Sequence, residues 1–248
     1  MTQGSQTGRI AFVTGASRGI GRSAALGLAR AGDQVIACAR SKGALEELDD
    51  EILAATGQHA TLIPFDITDA ASFERLTSAL YERFGRIDVA VHAAGILGTL
   101  TPVTQMEPKE FDKVVSVNLT STWNLLRALE PLLRLSSAGR LIALTTSASL
   151  TRGRAYWGAY GATKAALESL IRAWSDELEI TAVRSALVSP GPMRTKMRAA
   201  AFPGEDPMSI PHPDEIVPLI LDLADATRTP PSETVSFPDW VKAHQAVA

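Results

Sequence analysis

Short β-rich runs alternate with longer helical patterns along almost the entire chain, and that alternation leaves few folds open. The runs lie at 9–14, 34–39, 60–65, 88–93, 139–145 and 181–188. Helical patterns fill the gaps: from the first glycine turn to 31, then 43–56, 71–84, about 108–135 and 159–178. Strands alternating with helices are the signature of βαβ units. The expected fold is therefore α/β, a doubly wound parallel β-sheet with helices on both faces. No repeat, low-complexity tract or linker divides 1–248, so one domain is expected, and 248 residues can bury a sizeable core.

The first run breaks at Gly15-Ala-Ser-Arg-Gly-Ile-Gly21, and a helical pattern follows. Glycines at 15, 19 and 21 permit a tight turn and close backbone approach, and the helix start offers free N–H groups to a pyrophosphate. An ordinary strand-to-helix turn that needs glycine is the plainer alternative. The other strand ends narrow the choice. Arg40 follows the second run, Asp66-Ile67 the third, His92-Ala-Ala-Gly95 the fourth, Ser147 the fifth and Pro190-Gly-Pro-Met-Arg-Thr195 the sixth. Ligands of open parallel sheets bind outside the carboxyl ends of the strands, so these residues are expected around one crevice.

The stretch 147–164 leads into the helical pattern that carries Leu167, Leu170, Ile171, Trp174 and Leu178. On a helix Tyr160 and Lys164 share a face, their Cβ atoms about 5–6 Å apart. An ammonium near a phenol favours its anion, so the phenol is expected to fall from roughly 10 toward neutrality. Such a group can exchange a proton at working pH. A solvated surface pair has the same spacing. Of the tyrosines at 81, 156 and 160, however, only Tyr160 has a basic residue four positions on.

Charge argues against polyanionic or membrane partners: 24 basic and 27 acidic residues give a net −3. The single cysteine, Cys38, lies in an apolar run and reads as a small core residue. His59, His92, His212 and His244 are scattered, so no metal is expected. Neither an export signal nor a membrane-length apolar run is apparent, which makes the cytoplasm the expected compartment.

Taken together, these residues resemble the short-chain dehydrogenase/reductase family, whose fold is Rossmann-like. Thr14-Gly-Ala-Ser-Arg-Gly-Ile-Gly21 is similar to its cofactor loop, and Tyr160-x-x-x-Lys164 to its catalytic pair. Ser147, Asn118 within Val117-Asn-Leu, Asp66, and Pro190-Gly191 through Thr195 resemble further family positions; the likeness covers about 8–195. The resemblance implies an oxidoreductase that moves a hydride between nicotinamide and a carbonyl/secondary alcohol substrate. Tyr160 is then the acid/base; Lys164 lowers its pKa and holds the ribose; Ser147 bonds the reacting oxygen; Asn118 positions a water. Cofactor contacts are implied for Gly15, Ser17, Arg18, Gly19, Ile20, Gly21, Arg40, Asp66, Ile67, Ala94, Gly95, Tyr160, Lys164, Pro190, Gly191, Met193 and Thr195. By itself, Ser147 is one of several neighbouring hydroxyls, and Asn118 could simply satisfy backbone across a helix kink.

The second strand ends Cys38-Ala39-Arg40 without a carboxylate, and Arg18 sits in the glycine loop. Two guanidinium groups near the ribose favour a 2′-phosphate, hence NADP(H) over NAD(H), although Arg40 could also be a solvated strand-end charge. Two features depart from the family pattern: His92-Ala-Ala-Gly95, where a structural histidine bonded to nearby backbone is expected, and a C-terminus lacking the usual glycine-rich last strand. The block 193–207, with the His92 variant, resembles a YciK-like bacterial branch. Residues 195–213 are expected to form a substrate lid with Met197, Phe202 and Met208. Leu97, Leu150, Trp157 and Met193 are expected to add apolar wall, suiting a mainly apolar or aromatic substrate. The apolar helices at 108–135 and 159–178 suggest a homodimer or homotetramer. A non-catalytic NADP(H)-binding sensor on the same fold is the competing reading.

Overall fold

The computed structural model describes residues 8–147 and 153–245. Among them seven strands form one sheet: β1 (Ile10–Thr14), β2 (Gln34–Ala39), β3 (Thr61–Pro64), β4 (Val89–His92), β5 (Arg140–Leu144), β6 (Arg184–Ser189) and β7 (Val235–Ser236). Every neighbouring pair is parallel, in the order β3-β2-β1-β4-β5-β6-β7. The strand order therefore reverses between β1 and β4, the point at which such sheets open a crevice.

The helices are α1 (Gly19–Arg30), α2 (Lys42–Thr56), α3 (Ala70–Phe84), α4 (Pro108–Val115), α5 (Ser121–Arg134), α6 (Gly158–Glu177), α7 (Lys196–Ala201), α8 (Val217–Ala224) and α9 (Phe237–Gln245). They divide between two cores, one on each face of the sheet. On β1 the alternation is complete: Ala11 and Val13 pack with α1, α2 and α8, while Ile10 and Phe12 pack with α3, α5 and α6. A strand buried on both faces reads as a continuous apolar run, which is why the sequence shows runs rather than alternation. On α6, Leu167, Ile171 and Trp174 face this second core, and the Trp174 indole N–H donates to Glu130 Oε2 on α5 at 2.8 Å.

Three elements differ from the sequence expectation. The helix expected over 108–135 is interrupted by a π-helical turn, Ser116–Thr120, between α4 and α5. Hydroxyls satisfy the carbonyls that this wider turn displaces: Ser121 Oγ donates to Val117 O and Thr122 Oγ1 to Asn118 O. The sixth strand starts at Arg184 instead of 181, because Thr181 is spent closing α6: its hydroxyl donates to Leu178 O and accepts from Val183 N. The doubtful last strand does form, but it is two residues long and runs directly into α9. α9 has a structural task, since Pro238 packs against Gly191 in the loop after β6.

Candidate active site

The floor of the crevice is backbone. Gly15, at the end of β1, has φ +69°, and a Cβ added there would lie 2.9 Å from the Ala93 carbonyl carbon after β4. A Cβ on Gly21 would lie 2.7 Å from the Gly15 carbonyl carbon. No side chain fits at either place, so the two strand ends and the start of α1 close on one another. The N-cap residue Arg18 makes no side-chain capping bond, which leaves the first N–H groups of α1 to another acceptor. From there a crevice of about 800 Å³ runs over the strand ends. It is lined by every residue expected to contact the dinucleotide except Gly191 and Met193, which line an adjoining chamber of about 550 Å³. Arg18 and Arg40 lie exposed in the crevice, and neither forms an ion pair among the described residues. Asp66 accepts from Thr68 N and Oγ1, and these bonds, with Arg40 nearby, hold its carboxyl below the usual range.

Tyr160 lines both cavities and is the buried group where they meet. Lys164, one turn along α6, is also buried in the crevice and donates from Nζ to Leu144 O at 2.8 Å. Burial pushes this ammonium down to about 8, against the pull of Glu168. The expectation for the phenol is reversed. Burial outweighs everything else and pushes Tyr160 up to about 12, with a hydrogen bond to Thr146 drawing it partly back. The two side chains share a crevice, but desolvation of both is the stronger effect here. Ser147 stands exposed on the chamber wall beside Thr145 and Thr146.

Asn118 lines neither cavity; it is fully buried behind the crevice. Its Oδ1 accepts from Ile96 N at 2.9 Å, and its Nδ2 donates to Ile96 O at 2.9 Å and to Thr163 Oγ1 at 3.1 Å. Both amide N–H groups and one carbonyl lone pair thus go to protein groups. The asparagine satisfies backbone, but that of the loop after β4 and not that of its own kinked helix. Gly95 in this loop is held close enough that a Cβ would lie 3.3 Å from Asn118 Oδ1 and 3.5 Å from Lys164 Nζ.

His92 is buried and bonded, but to hydroxyls and not to the backbone partners expected of it. Thr122 spends its proton on Asn118 O, so it accepts from His92 Nε2–H at 2.9 Å. On the other side Ala94 N donates to Thr14 Oγ1, which lies 2.9 Å from Nδ1 and donates to it. One neutral tautomer satisfies the whole chain from the β1 end to the π-helical turn. Burial, helped by the Lys164 charge, pushes the imidazole down to about 3.

The family model for short chain dehydrogenases matches residues 9–206. The chain belongs to the short-chain dehydrogenase family. It is an oxidoreductase of that family. It is 39% identical over 217 residues to the oxidoreductase YciK of Escherichia coli K12, covering 87% of this chain and 85% of YciK. A short-chain dehydrogenase from Shigella flexneri 2a, complexed with NADP, superposes with a TM-score of 0.88 at 36% identity, covering 92% of this chain and 96% of the other. An oxidoreductase of Mycobacterium tuberculosis CDC 1551 described as NAD-dependent is 35% identical over 209 residues, 78% of this chain and 74% of its own.

In this dehydrogenase the chamber beyond Tyr160 is walled by Leu97, Trp157, Met193 and Met197, of which Met197 had been expected on the lid. Leu150 lies outside the described residues. Phe202 lines neither cavity but packs on Trp157 with ring centroids 5.9 Å apart, and Met208 is exposed away from both. The segment after β6 is tied down by Arg194, whose Nε donates to Pro207 O, and by the ion pair of Arg198 with Glu205. Tyr156, at the turn into α6, has φ +71°, the one non-glycine in the left-handed region among the described residues. Sequence reasoning missed Arg154, which lines the chamber. It stands in a turn, where no periodicity marks it. Among the described residues no group of His, Cys, Asp and Glu could hold a metal ion, and no helix is long and apolar enough to cross a membrane.

Proposed function

We propose that this dehydrogenase interconverts a carbonyl compound and its alcohol, a secondary alcohol where the carbonyl is a ketone, with NADP(H), Tyr160 serving as acid and base. The observation that carries the reading is the position of Tyr160, at the opening of the long crevice into the chamber with Lys164 one turn behind. The crevice suits a dinucleotide: Gly15 and Gly21 let the β1 and β4 ends and the start of α1 close into a floor of backbone, and Arg18 and Arg40 remain available for a 2′-phosphate, which supports NADP(H) over NAD(H).

The cofactor, when bound, exchanges a hydride with the substrate carbon. Everything else falls to the chain. In reduction the carbonyl oxygen gains negative charge as its carbon receives the hydride, and Tyr160 gives that oxygen its phenolic proton. A phenol pushed up to about 12 holds this proton at neutral pH, so it is loaded for the reductive direction. The Lys164 ammonium, still charged at neutral pH, stabilises the phenolate that remains until solvent returns the proton. Ser147 offers its hydroxyl to the reacting oxygen from the chamber wall, beside Thr146, which is bonded to Tyr160. Asn118 acts by holding the 95–96 backbone against Lys164. Residues 195–213 form the lid of a single domain, 1–248. The exposed Phe111 and Trp123 on α4 and α5 support a homo-oligomer, and light scattering would measure its size.

The test is NADPH oxidation with aldehydes, ketones and diketones, beside Tyr160→Phe. Phenylalanine keeps the ring contact with Trp157 and removes the proton, so the variant should fold and lose about 10²–10⁴-fold in kcat. Undiminished turnover in Tyr160→Phe would exclude the phenol as the acid.

A further inference from the structure

We infer that the substrate carries an anionic group on an apolar or aromatic body, and that Arg154 receives that group; the inference rests on the oxidoreductase reading of the same site. Among the described residues the chamber has two cationic side chains on its wall, Arg154 and Arg198, and no Asp or Glu. The two arginines are not alike. Arg198 is committed, its Nε and Nη2 donating to the Glu205 carboxylate at 2.7 and 2.5 Å while its guanidinium covers Phe202. The Arg154 guanidinium has no carboxylate partner and makes no hydrogen bond among the described residues; only its backbone carbonyl does, accepting from Trp157 N. Its guanidinium packs over two rings, 4.8 Å from the Trp157 centroid and 4.9 Å from that of Phe202.

A guanidinium laid on aromatic faces is held in direction while its N–H edges stay free, and those edges match a carboxylate or phosphate. Trp157 also touches the Tyr160 ring, at 5.8 Å, so the cation stands one indole away from the phenol. A substrate with its carbonyl at Tyr160 and its body along Trp157, Met193 and Met197 would present its far end to Arg154. The sequence reading of an apolar substrate thus gains a charged terminus.

The experiment compares 4-formylbenzoate with its methyl ester as substrates for NADPH oxidation. The wild-type ratio of kcat/KM, carboxylate over ester, should be at least about tenfold at low salt and should shrink as salt is added. Arg154→Gln should bring the ratio close to one, and Arg154→Lys should keep part of it. Arg154 is exposed, so neither substitution threatens the core. A ratio near one in the wild type, or a ratio unchanged in Arg154→Gln, overturns the inference. If neither aldehyde is turned over, the oxidoreductase reading is what suffers, and calorimetry still decides the present point. Wild type should bind 4-(hydroxymethyl)benzoate at least tenfold more tightly than its methyl ester, with the difference lost in Arg154→Gln; equal binding of the two overturns the assignment.

Discussion

The two cavities that meet at Tyr160 are made of different material. The long crevice is walled by main chain: Gly15 and Gly21 against one another and the β4 end, and the 95–96 loop pinned by the Asn118 amide. The chamber is walled by side chains: Trp157, Met193, Met197 and the stacked Arg154, beside Arg198, which is tied to Glu205. A wall of backbone can change only if the sheet changes with it. A wall of side chains can be recut one residue at a time, because the sheet beneath does not depend on it. The contrast suggests that cofactor binding is rigidly built into the fold and that substrate choice is laid over it.

The largest effect should therefore follow from the smallest substitution. Gly21→Ala drives a methyl into the Gly15 carbonyl, a backbone group that cannot rotate away. Overpacking of this kind costs about 1–3 kcal/mol, and all of it falls on the dinucleotide cradle, so NADPH affinity by calorimetry should drop by up to about 100-fold. Trp157→Leu, in the chamber, removes more volume yet should leave NADPH affinity within about twofold while changing substrate kcat/KM about tenfold. If the tryptophan variant lost NADPH affinity as severely as the glycine variant, the division into two kinds of wall would be wrong.

His92 extends the contrast to the support behind the crevice. Its folded pKa of about 3 lies below the unfolded value of 6.5, so the unfolded chain takes up a proton first as pH falls. The histidine's contribution is fully present above pH 6.5 and is lost between 6.5 and 3. At pH 5 the loss amounts to about 2 kcal/mol. Urea unfolding at pH 7 and pH 5 should show it, and His92→Asn should flatten that dependence while lowering stability at pH 7 through the orphaned Thr122 contact. A wild-type stability equal at the two pH values would mean that the imidazole is already charged or solvated in the fold.

The same division explains what could be read from the chain beforehand. The strand ends were legible because each is a backbone event: glycine where a Cβ cannot fit, an apolar run where a strand is covered on both faces. The helix with Tyr160 and Lys164 was legible because spacing alone puts them on one face. The direction of the Tyr160 shift was not, since it depends on how much of the fold closes over the phenol: burial outweighs the Thr146 hydrogen bond, while the Lys164 ammonium donates to Leu144 O. Asn118 was singled out, but its π-helical turn and its bonds to Ile96, which keep it behind the crevice, follow from tertiary contacts that no spacing displays. Arg154 stayed hidden for the same reason. Its partners are two rings, Trp157 close by in sequence and Phe202 far along the chain.

The smallest predicted effect lies at the far end of the crevice, where backbone gives way to side chains again. Arg40 follows β2 and is exposed, so it has no part in holding the loop and can act only on what binds beside it. A charge-assisted contact of an exposed guanidinium with a phosphate supports about a tenfold preference. Arg40→Ala should raise KM for NADPH about tenfold and leave KM for NADH nearly unchanged, because only the former has a phosphate there to lose. Adding Arg18→Ala should increase the NADPH penalty by less than a second factor of ten, since both arginines line one crevice and their effects overlap. A variant that weakened both cofactors alike would show instead that Arg40 supports the adenosine pocket as a whole, and the preference would then have to be sought among the other cations of the crevice, Arg22, Arg194 and Lys196.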